Sequence, residues 1–213
     1  MRKKAFIFDL DGVIVFTDQY HYQAWKKVAD RLGIFFDEKI NNRLRGVSRM
    51  ESLQIILENA GKEYSENEKQ LLAEEKNEYY KKFLENIKPT EVKEEIKETL
   101  KSLRERGYKL AIGSSSKNAR YILKKAALLD WFDAISDGTN ISFSKPHPEV
   151  FLKAAEFLKE SPEDCIVVED ACAGIDAAKA AGMTTVGIGD ASGYEKVDFK
   201  IQSFNQLLYI QHI

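Results

Sequence analysis

Residues 6 to 14 read Phe6-Ile7-Phe8-Asp9-Leu10-Asp11-Gly12-Val13-Ile14. A short apolar run ends on two carboxylates two apart, and a glycine follows at once. The run suits a buried strand, and the glycine lets it stop in a tight turn. A period of two aims Asp9 and Asp11 to one side, unless the turn re-aims the second. Charge buried without a partner is costly, so stability alone does not explain two carboxylates at the end of a core strand. They make sense beside a hard cation, or where a carboxylate must attack phosphorus.

Two textures alternate along the 213 residues. Residues 1–15, and again 93–213, read as strand–helix repeats. The candidate strands are 4–9, 108–113, 133–136, 165–169 and 184–188. Helical patterns fall between them. Ile96, Leu100 and Leu103 precede Gly107. Val150, Phe151, Ala154, Ala155 and Leu158 follow Pro148, in a helix expected from His147. Ile175, Ala178 and Ala181 precede Gly182. Proline near a helix start and glycine past its end are the expected punctuation. Such alternation predicts an α/β fold, with a parallel sheet covered by helices on both faces.

Residues 16–92 carry no strand pattern. Tyr22, Trp25, Val28, Ala29 and Leu32 keep a helical period up to Gly33. Ser48-Arg49-Met50-Glu51 forms a capping box that leads into Leu53, Ile56, Leu57 and Ala60, with Gly61 as the stop. Ser65-Glu66-Asn67-Glu68 forms a second, leading into Leu71, Leu72, Tyr79 and Phe83. The expected organisation is an α/β core of 1–15 and 93–213 with a helical insert over 16–92. The insert sits over the carboxyl end of the first strand, where open α/β sheets bind ligands.

Four sets of polar residues follow apolar strand patterns. They are Asp9 with Asp11; Ser114-Ser115-Ser116-Lys117-Asn118; Lys145 before Pro146; and Glu169-Asp170. Each alone has an ordinary reading, as a turn, a helix cap, a surface lysine or a solvated loop. A parallel sheet gathers all four at one edge, which the ordinary readings leave unexplained. Hydroxyls and free N–H groups where a strand turns into a helix bind phosphate. Carboxylate oxygens with an open position suit magnesium, which keeps waters and bridges a phosphate.

Apolar residues at 44% suffice for a core, and a net charge of -2 gives no basic surface for nucleic acid. No run approaches the roughly 20 apolar residues needed to cross a bilayer. The basic Met1-Arg2-Lys3-Lys4 is not followed by a signal-peptide stretch, because Asp9 and Asp11 interrupt it. Cys165 and Cys172 read as a reduced pair rather than a disulfide, and with three histidines they make no zinc pattern. The expectation is a cytoplasmic monomer with no nucleic-acid or membrane partner.

These motifs resemble the haloacid dehalogenase superfamily of phosphotransferases with an α-helical cap after the first strand. Asp9-Leu10-Asp11-Gly12, Ser114, Lys145 and Glu169-Asp170 carry the resemblance across nearly the whole chain. It implies a Rossmann-like core and magnesium-dependent phosphoryl transfer through an aspartyl-phosphate. Asp9 would be the nucleophile and Asp11 the general acid and base. Ser114 and Lys145 would hold the transferring group. Asp9, the backbone carbonyl of Asp11, Glu169 and Asp170 would hold the metal.

Outside these motifs the chain resembles the superfamily's glucose-phosphate mutases. The matching positions are Thr17, Tyr20, His21, Ala24 and Trp25; Gly46-Val47-Ser48-Arg49; Ser52-Leu53-Gln54; Lys76-Asn77; and Ser116, Lys117, Asn118 with Ser144-Lys145-Pro146. This implies a sugar-phosphate substrate and a β-D-glucose 1,6-bisphosphate intermediate between β-glucose 1-phosphate and glucose 6-phosphate. Arg49 would grip the distal phosphate, and Thr17, His21 and Lys76 would couple cap closure to Asp11. Trp25, Gly46, Val47 and Ser52 fall with the substrate-binding segments, and Ser116, Lys117 and Asn118 would contact sugar or phosphate. The pattern departs at Arg45, where those mutases carry lysine; a planar fork replaces a point charge. A sugar-phosphate phosphatase of the same fold is the alternative. A non-catalytic sugar-phosphate sensor is disfavoured, since binding alone needs no nucleophile.

Overall fold

The computed structural model describes residues 3–210; Met1 and Arg2 of the basic N-terminal run lie outside the described residues. In chain order its elements are β1 (Ala5–Phe8), α1 (Asp18–Leu32), α2 (Glu38–Asn42), α3 (Arg49–Leu57), α4 (Glu66–Leu84), α5 (Glu94–Glu105), β2 (Lys109–Gly113), α6 (Ala119–Lys125), β3 (Ala134–Ser136), α7 (Glu149–Leu158), β4 (Cys165–Glu169), α8 (Cys172–Ala180), β5 (Thr184–Gly187) and β6 (Phe199–Lys200). Every strand pairing is parallel, in the order β3-β2-β1-β4-β5-β6. Five strands fall where the sequence pattern puts them. The two-residue β6 has no pattern of its own and forms only by pairing with β5.

The apolar runs are continuous because both faces of the sheet are covered. In β1, Phe6 and Phe8 join one core cluster with Ile96, Leu100 and Leu103 of α5 and Ile122 and Leu123 of α6. Ala5 and Ile7 join the other, with Val150, Phe151 and Ala154 of α7 and Ala177 and Ala178 of α8. Helix α7 starts at Glu149 rather than His147, with Pro148 at its N-cap. Proline holds a helical φ but has no N–H, so it suits the first position of a helix and not its interior.

Strand order reverses beside β1, whose neighbours are β2 and β4. Ligands bind at such a switch point, beyond the carboxyl ends of the strands. Register decides what meets there. Phe8 pairs with Val168 and with Ile112, so Asp9 emerges beside Glu169 on one side and beside Gly113-Ser114 on the other.

Among the described residues, 16–92 contain no strand. Trp25, Val28 and Ala29 of α1, Leu53, Ile56 and Leu57 of α3, and Leu72 and Ala73 of α4 form a third cluster. Both capping boxes are present: Ser48 with Glu51, and Ser65 with Glu68. Gly33 ends α1 in the left-handed conformation at φ 68°. Two expectations are corrected. Helix α3 stops at Leu57, because tighter i to i+3 bonds (Asn59 N–H to Ile56 C=O, Ala60 N–H to Leu57 C=O) close it before Gly61. The inward face of α4 is Leu72, Lys76, Tyr80 and Leu84, whereas Leu71 is 59% exposed. Of the expected Leu71, Leu72, Tyr79 and Phe83, Leu72 is buried, and Tyr79 and Phe83 are partly buried against the first cluster. Only Leu71 faces out, and the true stripe contains a lysine that hydrophobicity does not mark.

This difference is measurable. Leu72→Ala should cost about 2–5 kcal/mol, the usual penalty for a buried leucine. Leu71→Ala should stay within about 0.5 kcal/mol. Urea unfolding of the two variants checks it; equal losses would place both leucines in the core.

Candidate active site

Lys145 is fully buried on the loop after β3, and its Nζ donates to two carboxylates. One is Asp9 Oδ1; the other is Glu169 Oε1 at 2.6 Å. The other Glu169 oxygen accepts the Ala171 N–H at 2.9 Å. Burial alone would lower the Lys145 pKa, but Asp9 and Glu169 more than reverse this, and the ammonium is held charged. A Cβ on Gly174 would stand 1.9 Å from Glu169 Oε1, so only glycine there lets α8 pass the carboxylate. Gly12, at φ +90°, likewise makes room for Asp170, whose Oδ2 would lie 2.1 Å from a Cβ. A glycine inside a helical pattern is a recognised sign of close packing; Gly174 carried that signal, and the sequence reading did not use it.

Carboxylate oxygens of Asp9, Glu169 and Asp170 lie within 4.8 Å of one another. Burial, then the neighbouring Glu169, pushes the Asp170 carboxyl up strongly; burial raises Asp9, against the pull of Lys145. Two of the three buried carboxylates share the Lys145 ammonium, and Asp170 meets the rim cation Arg45. Their converging oxygens still suit a hard divalent cation, which takes all-oxygen donors. The residues present therefore fit magnesium. The Asp11 carboxylate is not in this cluster. It accepts from the Thr17 hydroxyl, which also pairs with the Tyr80 hydroxyl at 2.9 Å. Thr17 occupies the N-cap of α1 yet makes no side-chain cap bond, its hydroxyl being already engaged. Burial moves the Asp11 carboxyl up to about 6, against the Thr17 bond.

The insert supplies a second polar set. Lys76 is 2% exposed, and its Nζ shares a hydrogen bond of 2.8 Å with His21 Nδ1. The same Nζ lies 4.5 Å from the Tyr80 ring centre and 5.1 Å from that of Trp25. Burial, then Arg49 and then Asp11 acting the other way, leaves Lys76 well below its ordinary pKa. Burial with the nearby Lys76 and Arg49 lowers His21 too. Arg49 donates to Asn77 Oδ1 at 2.8 Å, and Asn118 Nδ2 donates to the same oxygen at 3.0 Å. The insert and the sheet thus meet through one amide. Arg45 also crosses between them, to Asp170 at 3.1 Å and to Asp190, while bonding Asp18 of α1 within the insert at 2.6 Å.

A cavity of about 510 Å³ lies between the insert and the strand ends. Asp9, Asp11, Ser114, Lys145 and Asp170 line it, as do Ser116, Lys117 and Asn118. From the insert come His21, Trp25, Arg45, Gly46, Val47, Arg49, Ser52 and Lys76. Of the sequence-derived site residues, only Thr17 and Glu169 stand behind the wall, each bonded to a carboxylate or lysine that does line it. The 114–118 loop departs from expectation. Its N–H groups are partly used internally, Ser116 N–H on Ser114 Oγ and Asn118 N–H on Ser116 Oγ, both at 3.2 Å. The sequence reading missed Asp18, Tyr80 and Phe143 in the wall, and Asp190, which Arg45 reaches. Tyr80 follows Lys76 by one helical turn, a signal that only the corrected face of α4 reveals.

The sequence profile of the haloacid dehalogenase-like hydrolases matches residues 3–182. The β-phosphoglucomutase of Bacillus subtilis (strain 168) is 43% identical over 206 residues, 96% of this chain and 91% of that protein. The phosphorylated carbohydrates phosphatase of Thermotoga maritima is 31% identical over 186 residues, 86% of this chain and 83% of its own. The crystal structure of β-phosphoglucomutase from Clostridium difficile superposes with a TM-score of 0.92 at 44% identity, covering 99% of this chain and 96% of that one.

The raised carboxyls carry a pH prediction. Their folded pKa values lie above the unfolded ones, so their contribution is complete below about pH 4 and lost as pH rises through the folded values. Magnesium, which binds the ionised form, should therefore raise Tm more at about pH 8 than at about pH 5. Asp170→Asn should flatten that difference. Equal magnesium effects at both pH values would place the metal elsewhere.

Proposed function

The chain belongs to the haloacid dehalogenase-like hydrolase family, and we propose that within it this chain is a magnesium-dependent β-phosphoglucomutase. It interconverts β-D-glucose 1-phosphate and glucose 6-phosphate through β-D-glucose 1,6-bisphosphate. The observation that carries this reading is one cavity with two separate anion grips: Lys145 beside Asp9, and Arg49 beside Asn118. A bisphosphate that must bind in either orientation needs both. The relatives named above supply the reaction class.

In this reading Asp9 takes the phosphoryl group on a carboxylate oxygen and passes it to a sugar hydroxyl. Lys145 and Ser114 meet the charge on the transferring oxygens. Bound at Asp9, Glu169, Asp170 and the Asp11 carbonyl, magnesium would screen the repulsion between the Asp9 carboxylate and the phosphate. Asp11 removes the proton from the attacking hydroxyl and returns it to the leaving oxygen. An ionisation near 6 suits both directions at neutral pH. Thr17 aims that carboxylate, and through Tyr80 and the Lys76–His21 pair it links Asp11 to the insert.

Residues 16–92 act as the cap and set substrate choice over a core of 1–15 and 93–213. Arg49, Ser116, Lys117 and Asn118 hold the distal phosphate, while Trp25, Gly46, Val47, Ser52 and Arg45 shape the sugar side. Every group comes from one chain, so a monomer suffices. Cys165 and Cys172 are unpaired, which supports a reducing, cytoplasmic setting. A sugar-phosphate phosphatase is the second reading, favoured by the Thermotoga relative.

Asp11→Asn should keep magnesium binding, measured by calorimetry, and lose roughly 10²–10⁴-fold in rate. Loss of the metal from a folded variant would contradict the role given to its carbonyl. The mutase reading itself is tested with Arg49→Ala. Isomerisation of β-glucose 1-phosphate should collapse while hydrolysis of acetyl phosphate, which has no second phosphate, persists. Free glucose as the main wild-type product, or equal loss of both activities, would favour the phosphatase.

A further inference from the structure

Phe143 stands two residues before Lys145, lines the same cavity and is 61% exposed. Its position is built rather than incidental. Both Ser142 N–H and Phe143 N–H donate to Glu149 Oε2, at 3.0 and 2.8 Å, which ties the loop to the first turn of α7. A carboxylate at a helix start is itself favoured by the helix dipole. Ile141, two residues earlier, also lines the cavity but is partly buried, packing against the second core cluster, whereas Phe143 has no such cover. Among the described residues the Phe143 ring meets one aromatic neighbour, the His147 imidazole, with centroids 4.8 Å apart and planes 39° apart. The ring is thus held at the wall of a cavity full of charge, forgoing the stabilisation that a buried phenylalanine supplies. On the cap side the same cavity shows Met50, 37% exposed.

A flat apolar ring in a charged cavity suits a ligand with apolar area between its charged ends. A hexopyranose has this form, since its ring faces are largely C–H and its hydroxyls project around the edge. We propose that Phe143 is a substrate-contacting residue that packs against a C–H face of the sugar while Lys145 holds the adjacent phosphoryl group. This rests on the sugar-phosphate reading above and assigns the apolar half of the recognition that the cationic grips leave open. The contact orients the sugar, so that it is the hydroxyl and not water that meets Asp9.

The test is steady-state kinetics of Phe143→Ala, Phe143→Leu and Phe143→Tyr with β-glucose 1-phosphate, and separately with acetyl phosphate, which carries no sugar ring. Phe143→Ala should raise KM for the sugar phosphate about ten-fold, the equivalent of partly burying one aromatic side chain. Phe143→Leu should fall with it, because it keeps apolarity but not the flat face, and Phe143→Tyr should stay within about two-fold. Acetyl phosphate turnover should change little in all three, whereas a purely structural role for the loop would misplace Lys145 and depress both reactions. An unchanged sugar-phosphate KM in Phe143→Ala, or equal loss of both reactions, overturns the inference alone. A wild type that hydrolyses acetyl phosphate but turns over no hexose phosphate overturns the sugar reading and this inference together.

Discussion

The Lys145 ammonium between Asp9 and Glu169 organises everything around it. All three side chains are at least nine-tenths buried. Taking such charges out of water costs several kcal/mol per ion, and the mutual attraction returns that only when the geometry is good. A hydrophobic trio would serve stability as well. The arrangement instead holds a carboxylate and an ammonium side by side where β1 and β4 end. Three strands and two loops must agree for this to occur. Asp9 leaves β1, Glu169 ends β4, and Lys145 arrives from the loop after β3. Gly12 and Gly174 then clear the space that Asp170 and Glu169 occupy.

A second buried polar set answers the first from the insert. Asp11, Thr17 and Tyr80 form a continuous hydrogen-bonded line, and His21 with Lys76 packs against the Tyr80 ring. A buried lysine is costly unless something holds it, and here a histidine nitrogen and two aromatic faces do so. Because the line joins the turn after β1 to α1 and α4, the placement of the insert and the placement of the Asp11 carboxylate are one geometric question. Arg45 and the Arg49–Asn77–Asn118 bridge add polar ties between the insert and the strand ends. Polar ties of this sort exchange readily with water or an anion, whereas the apolar clusters on either side do not.

Much of this was legible in the residues themselves. Strand positions follow from apolar runs such as Phe6-Ile7-Phe8 and Ile166-Val167-Val168, since only a strand covered on both faces is uniformly apolar. Helix starts follow from Ser48 with Glu51 and Ser65 with Glu68, because a capping box is a purely local set of hydrogen bonds. The acidic and hydroxyl positions of the cavity were legible because each sits just past such a strand, whereas Lys145 reaches it on the long loop between β3 and α7. What local pattern determined, it determined through short-range sterics and backbone hydrogen bonding.

Tertiary structure decided the rest, and the reason is physical in each case. Leu71 is as apolar as Leu72, and only the packing of α4 against α1 chose which one faces inward and so brought Lys76 and Tyr80 to the cavity. Residues Phe199 and Lys200 become a strand only because β5 offers an edge. Sequence separation hid the partners of charge: Lys145 is 136 residues from Asp9 and Arg45 is 145 from Asp190. Which lysine meets which carboxylate is set by strand order and register, and no local preference encodes either. The sequence by itself determined the elements and the kinds of group at their ends; the parallel sheet, by bringing those ends to one point, decided which groups face one another.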